Sequence, residues 1–230
     1  MNVTPLIAAL TCFALPAWAD VTAAHYETPT ARYDHAILGD ALEWADLVMQ
    51  TDDRRQFRLS LPDNRVFEDV APRVVPLPNE APVVAVVETE IARGARLALY
   101  RETGLIAATP FIGQTHRWLA PIGAADLDGD GHIEFAYVDR PHLARTIRIW
   151  RYADGSLTEV AELPGYTNHR IGEDNIAGGI RDCGQGPQMI VASADWSRLF
   201  AIGWDGAAFT AADIGPHDGR ASFANALTCG

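Results

Sequence analysis

A unit of four short apolar runs recurs along this chain, and that recurrence limits the possible folds more than any other feature. Within residues 117–163, "RWLAPIGAA", "HIEFAYV", "TIRIWRY" and "SLTEVAEL" follow one another, separated by breaks rich in Gly, Asp and Pro. Short apolar runs bounded by turn formers read as strands joined by tight turns. Four of them in about 46 residues is the size of one propeller blade. The unit returns as "IAGGIRDCG", "PQMIVASAD", "SRLFAIGW" and "AAFTAADI", and earlier as "PRVVPL", "APVVAVVE", "ARLALYR" and "LIAATPF". Earliest come "HAILGD", "EWADLVM", "QFRLSL" and "RVFEDV".

These units predict an all-β chain, with residues 20–230 forming a single small β-propeller of four to five blades. "VTAAHYETPTARYDH" near the start and "SFANALTCG" at the end resemble strands of the other units. The last blade is therefore expected to be incomplete and closed by both termini, which would leave no strand edge exposed to a second chain. A two-sheet sandwich is the rival, since it too is built from short strands and regular turns.

The residues "MNVTPLIAALTCFALPAWAD" have the form of a secretory signal, with an apolar stretch from Pro5 to Leu15 ahead of Ala17-Trp18-Ala19. Cleavage is expected after Ala19, giving a periplasmic or secreted product. No other run approaches the ~20 apolar residues of a membrane span. Loss of Cys12 with the leader would leave Cys183 and Cys229, an even pair in an oxidising compartment and a predicted disulfide. The formal net charge of −12 argues against nucleic acid or anionic membrane as a partner. A monomer is expected.

The densest local signal is "ADLDGDGHIEFAYV", in which Asp126, Asp128 and Asp130 stand two apart beside a strand. Alternate spacing aims three carboxylates at one centre, and they repel unless a cation sits among them. Gly129 and Gly131 let the backbone curl, the His132 carbonyl adds an oxygen, and Glu134 follows. Hard oxygen donors in a flexible loop suit Ca²⁺. The plainer reading is an Asp-Gly hairpin with solvated carboxylates, which suffices for "ADG" at 153–155 and "WDG" at 204–206.

A strand running into "ADLDGDGHIEFAYV" resembles the FG-GAP or VCBS-type repeat of integrin alpha-chain propellers and of many exported bacterial proteins. The resemblance implies a β-propeller with calcium in the loop between the first and second strands of a blade. Larger members have seven blades, whereas this chain has room for four or five. The family includes adhesion modules and lectins, and few members catalyse a reaction through the repeat itself.

Strands of a unit alternate in direction, so the first strands begin at the end opposite the aspartate loop. Their beginnings share a pattern: Asp34-His35, Thr115-His116-Arg117, Asn168-His169-Arg170, and His217 with Arg220. Hairpins reaching the same end carry Asp139-Arg140 with His142, and Asp195-Trp196 with Arg198. His titrates near neutrality, Arg grips carboxylate or phosphate, and Trp offers a stacking face. The expected binding residues are His116, Arg117, Asp139, Arg140, His142, His169, Arg170, Asp195 and Trp196. In the other reading each Arg pairs with an acid of the next hairpin and holds the units in register.

No Gly-x-Ser-x-Gly nucleophile turn, no helical His pair and no phosphate loop is present in the sequence. The expected function is binding of a protein or small ligand on the His/Arg face. The alternative is a glycoside-acting enzyme using Asp139, Glu173 or Asp195, or a lectin stacking carbohydrate on Trp196.

Overall fold

We describe a computed structural model of the protein, in which residues 19–39 and 42–229 are described. The expected signal segment lies almost wholly outside the described residues. No helix among the described residues is long and apolar enough to cross a membrane.

Among the described residues the chain is all-β, with one short helix near the C-terminal end. Its three sheets are antiparallel, and none closes into a barrel. The most regular unit is β9 (Leu119–Ala125), β10 (Ile133–Asp139), β11 (Thr146–Ala153) and β12 (Ser156–Pro164), which pair in sequence order. These are the four runs read first in the sequence. β14 (Gly179–Asp182), β15 (Pro187–Ser193), β16 (Arg198–Trp204) and β17 (Phe209–Pro216) repeat that order, and the two-residue β13 (Tyr166–Thr167) adds to β15. β5 (Arg73–Leu77), β6 (Glu80–Glu90), β7 (Gly94–Arg101) and β8 (Gly104–Ala108) do so once more.

The earliest unit departs from expectation. "HAILGD" forms no strand over residues 35–39; instead β1 (Val21–Thr30) lies along β2 (Glu43–Thr51), with β3 (Gln56–Ser60) on the other side of β2. The three-residue β4 (Arg65–Phe67) bridges β2 and β6, merging this unit with the next into one eight-stranded sheet. The cause lies in strand lengths. β6 has 11 residues and outruns β5, whose pairing stops at Ala85. Backbone groups of Glu88, Thr89 and Glu90 are left for β4 to satisfy, as buried backbone requires.

The ends also differ from the reading that both termini complete one blade. β1 pairs with β2, and "SFANALTCG" contributes to a helix, α1 (Arg220–Leu227). "RASFANAL" is rich in Ala and free of β-branched residues, which favours helix. Its apolar positions Phe223 and Ala226, three apart, are buried against Ile190, Ala192 and Leu199. Cys183 and Cys229 form the predicted disulfide, with Cα atoms 5.8 Å apart, and it ties the end of α1 to the turn after β14.

Consecutive units bury their faces against each other. Val83, Ala85 and Leu99 of the first sheet meet Leu119, Phe135 and Tyr137 in one cluster. Ile122, Val138, Ile147 and Ile149 meet Met189, Val191 and Ile202 in another. Each sheet is thus covered by its neighbour in the chain, and the loops at the two ends are free to carry side chains of other kinds.

Candidate functional site

Two groups of polar side chains stand out at the strand ends. The first is the β9–β10 loop, residues 126–132. Ligand oxygens of Asp126, Asp128 and Asp130 lie within 4.8 Å of one another, and no other such His, Cys, Asp or Glu group occurs among the described residues. The loop is shaped by its own carboxylates. Asp126 accepts hydrogen bonds from the N–H groups of Gly129 (2.8 Å) and Gly131 (3.0 Å), and Asp130 accepts one from His132 N–H (2.9 Å). Leu127 points into the core beside Ile147 and Ile202 and anchors the loop from below.

Glu134 stands apart from that trio. It is fully buried, and burial raises its carboxyl above the usual range. One of its oxygens accepts from Leu127 N–H (2.9 Å), and the other accepts from Arg151 Nε–H (2.7 Å). Arg151 also reaches Asp128 (2.5 Å) and Asp130 (2.9 Å). One guanidinium therefore offsets part of the repulsion that the sequence assigned to a cation. The imidazole of His132 turns away and lines a separate cleft with Asn79 and Tyr152.

The second group surrounds a pocket of about 320 Å³ at strand ends on which β9 begins and β10 finishes. Three stretches far apart in sequence line it: His35 with Ile37, His116 with Arg117 and Trp118, and Arg140 to Leu143, with Ile171 at the edge. Trp118, Ile37 and Pro141 make its walls apolar. Leu143 and Ile171 are 63% and 70% exposed, unusual for aliphatic side chains, and they stand at its mouth.

The imidazoles here are held with care. His35 Nδ1 contacts Glu68, a fully buried carboxyl, at 2.5 Å, and Glu68 also accepts from Thr89 Oγ1–H. His116 Nε2 contacts Asp34 at 2.8 Å, and its main-chain N–H donates to Tyr33 Oη at 2.7 Å. The rings of His35 and His116 are 5.1 Å apart. His142 Nε2 lies 3.1 Å from His169 Nδ1, and His169 Nε2–H donates to the Glu173 carbonyl at 2.9 Å. Burial drives the His142 pKa down to about 4 and lowers that of His169, so both rings are neutral at pH 7.

Of the nine residues expected on this face, His116, Arg117, Arg140 and His142 line the pocket, and His169 backs it through its contacts with His142 and Trp118. Asp139 faces elsewhere, gripped by Arg140 (2.8 Å) and Arg148 (3.2 Å). Arg170 lies over the ring of Trp196 at 4.3 Å, and Trp196 packs on His217 and Phe223. Asp195 accepts from Ser193 and Ser197, which pull its pKa down to about 2. Arg170 and Trp196 thus form a separate cluster with His217 and Phe223, beside the turn that Asp195 supports. The sequence reading missed Glu68, whose only local signal is "FED" after a buried Val-Phe pair, together with Leu143 and Ile171.

No family model matches the chain, and no curated protein matches it.

Proposed function

We propose that the protein is an exported, calcium-stabilised member of the FG-GAP/VCBS-type repeat proteins, a small propeller of four to five blades. In this reading it binds a protein or small ligand in the histidine-lined pocket and is not a catalyst. The observation that carries the proposal is the pocket itself. Apolar walls, a few fixed polar groups and about 320 Å³ are the attributes of a ligand site. Arg117 adds a cation with no carboxylate partner among the described residues, its one described hydrogen bond running to the His116 carbonyl.

The family and blade count rest on three successive four-stranded antiparallel units and the aspartate loop between the first two strands of one. Calcium would be held by Asp126, Asp128, Asp130 and the His132 carbonyl. The donors suit the ion, being hard oxygens gathered within 4.8 Å on a glycine-bearing loop. Glu134 then supports the loop from within.

The glycoside-acting and lectin readings draw less support. Asp139 is engaged by two guanidiniums, Asp195 supports its own turn through Ser193 and Ser197, and the stacking face of Trp196 is covered by Arg170.

The test is thermal unfolding of the purified protein in Ca²⁺ and in chelator, followed by a small-ligand panel on wild type and Leu143→Asp. The reading expects stabilisation by Ca²⁺ and a ligand whose effect vanishes in the variant. No Ca²⁺ effect removes the ion, and ligand effects indifferent to Leu143 remove the pocket.

A further inference from the structure

The imidazoles around the pocket share a pattern that packing alone does not demand. Three of them have one ring nitrogen on a carboxylate or carbonyl oxygen, which accepts wherever the carboxylate is ionised: His35 Nδ1 on Glu68, His116 Nε2 on Asp34, and His169 Nε2 on the Glu173 carbonyl. Those nitrogens carry the hydrogens. The opposite nitrogens, His35 Nε2, His116 Nδ1 and His169 Nδ1, therefore bear lone pairs in the neutral rings. An outer N–H held by a carboxylate or carbonyl, with the inner nitrogen bare, is how metal-binding histidines are oriented.

The spacing agrees. His142 Nε2 and His169 Nδ1 are 3.1 Å apart. Two nitrogens on one tetrahedral ion with bonds of about 2.0–2.1 Å sit about 3.3 Å apart. His35 lines the same pocket as His142 and is near enough to act electrostatically on it.

We infer that His35, His142 and His169 form a binding site for a zinc- or copper-class dication, with the fourth position open to the pocket and His116 beside it. Imidazole nitrogens select these ions, whereas the aspartate loop, all oxygen, selects calcium. In the described arrangement no three of these donor nitrogens lie mutually within 4.8 Å. Binding therefore draws His142, on the β10–β11 hairpin, and His35 inward. His142 Nε2–H now donates to the bare His169 Nδ1, and on binding that hydrogen moves to His142 Nδ1, leaving both nitrogens of the pair free for the ion.

This inference rests on the reading of the pocket as a binding site and names what it takes first. The full chain, stripped with chelator and kept in Ca²⁺, is titrated with Zn²⁺ by calorimetry and with Co²⁺ by visible absorption. We expect one tight equivalent of Zn²⁺ and tetrahedral Co²⁺ bands. His142→Ala should weaken Zn²⁺ at least 100-fold, and Glu68→Gln about 10–100-fold by releasing His35, with Ca²⁺ binding unchanged in both. Circular dichroism verifies folding, and His142→Asn replaces the alanine variant if that one unfolds. Zn²⁺ binding that is absent, or equal in wild type and the His142 variant, overturns the inference. Should Zn²⁺ fail while a ligand still depends on Leu143, the metal falls and the pocket reading stands. If Zn²⁺ binds through His142 while no ligand depends on Leu143, the metal stands and the ligand reading falls.

Discussion

Arg151 lies against Glu134, Nε to Oε1 at 2.7 Å, on neighbouring strands where the two residues are direct cross-strand partners. The same guanidinium spans Asp128 and Asp130. A positive group is thus built into the aspartate loop, and it shares its carboxylates with any cation the loop receives. Glu134 has no solvent to fall back on. Removing Arg151 leaves a buried acid unpaired, which costs about 3–5 kcal/mol in a fully buried pair. Arg151 is itself a quarter exposed, so Arg151→Ala is expected to cost roughly 2–3 kcal/mol in chelator. Calcium should recover much of that loss, because the ion supplies charge to Asp128 and Asp130. Urea unfolding of both proteins, with and without Ca²⁺, measures it; equal losses in the two conditions would show that Arg151 and the ion act independently.

Gly94 opens β7 beneath the segment that carries His116 and Arg117. Its φ is +75°, and an added Cβ would lie 2.4 Å from the Gln114 carbonyl oxygen and 2.7 Å from that of Arg117. Gly104 opens β8 with φ +112° and has nothing within 4 Å of that position. Alanine at either site carries the left-handed backbone cost of about 1–2 kcal/mol. Only at Gly94 does overpacking add about 1–3 kcal/mol more. Gly94→Ala should therefore be the more destabilised of the pair and should also displace the wall of the pocket. Equal unfolding midpoints for the two variants would mean that the 114–117 segment yields freely and does not hold its histidine in place.

Three of the four strand units were legible in the sequence because their signals are local: each apolar run is bounded by its own turn formers, and each strand pairs with the next. The first unit was not. The pairing of β1 with β2 joins residues 21–30 to 43–51, and β4 is three residues long, too short to show a period. "SFANALTCG" resembles a strand of the other units, yet its Ala-rich first part, free of β-branched residues, folds into α1 against Ile190 and Ala192. On the site, repeated His and Arg at strand beginnings found His116 and His169. Nothing local could show that Glu68 seats His35 across 33 residues, or that Arg170 would turn to Trp196 and leave the pocket. Packing between units decided both.

Asp195 was expected on the binding face, yet its geometry is that of a turn support. Hydrogen bonds from the Ser193 hydroxyl and from the N–H and hydroxyl of Ser197 favour its ionised form and bring its pKa from 3.8 to about 2. A carboxyl depressed on folding contributes stability above its unfolded pKa and loses it as pH falls through the folded value. Wild type should be more stable than Asp195→Asn at pH 6, and the gap should close between pH 4 and 2. Carboxyl-carbon NMR titration reads the same quantity directly. A midpoint near 4, or a gap that persists at pH 2, would remove the turn role.

The Cys183–Cys229 bridge closes a span of 46 residues, worth about 4 kcal/mol if it acts by restricting the unfolded chain. Its local consequence is narrower. α1 is held to the third sheet by Phe223, Ala226 and a hydrogen bond from Arg181 to the Ala226 carbonyl. It has no side-chain N-cap, no acid in its first turn and no base in its last. An eight-residue helix so poorly capped does not persist without its packing. In the Cys183→Ser, Cys229→Ser double variant, amides of α1 should exchange with solvent well before those of β15 and β16. The unfolding midpoint should fall as well. If α1 keeps its protection while global stability drops, the bridge acts on the unfolded chain alone. If α1 exchanges early with little global loss, its work is to seat the helix over Ile190 and Ala192.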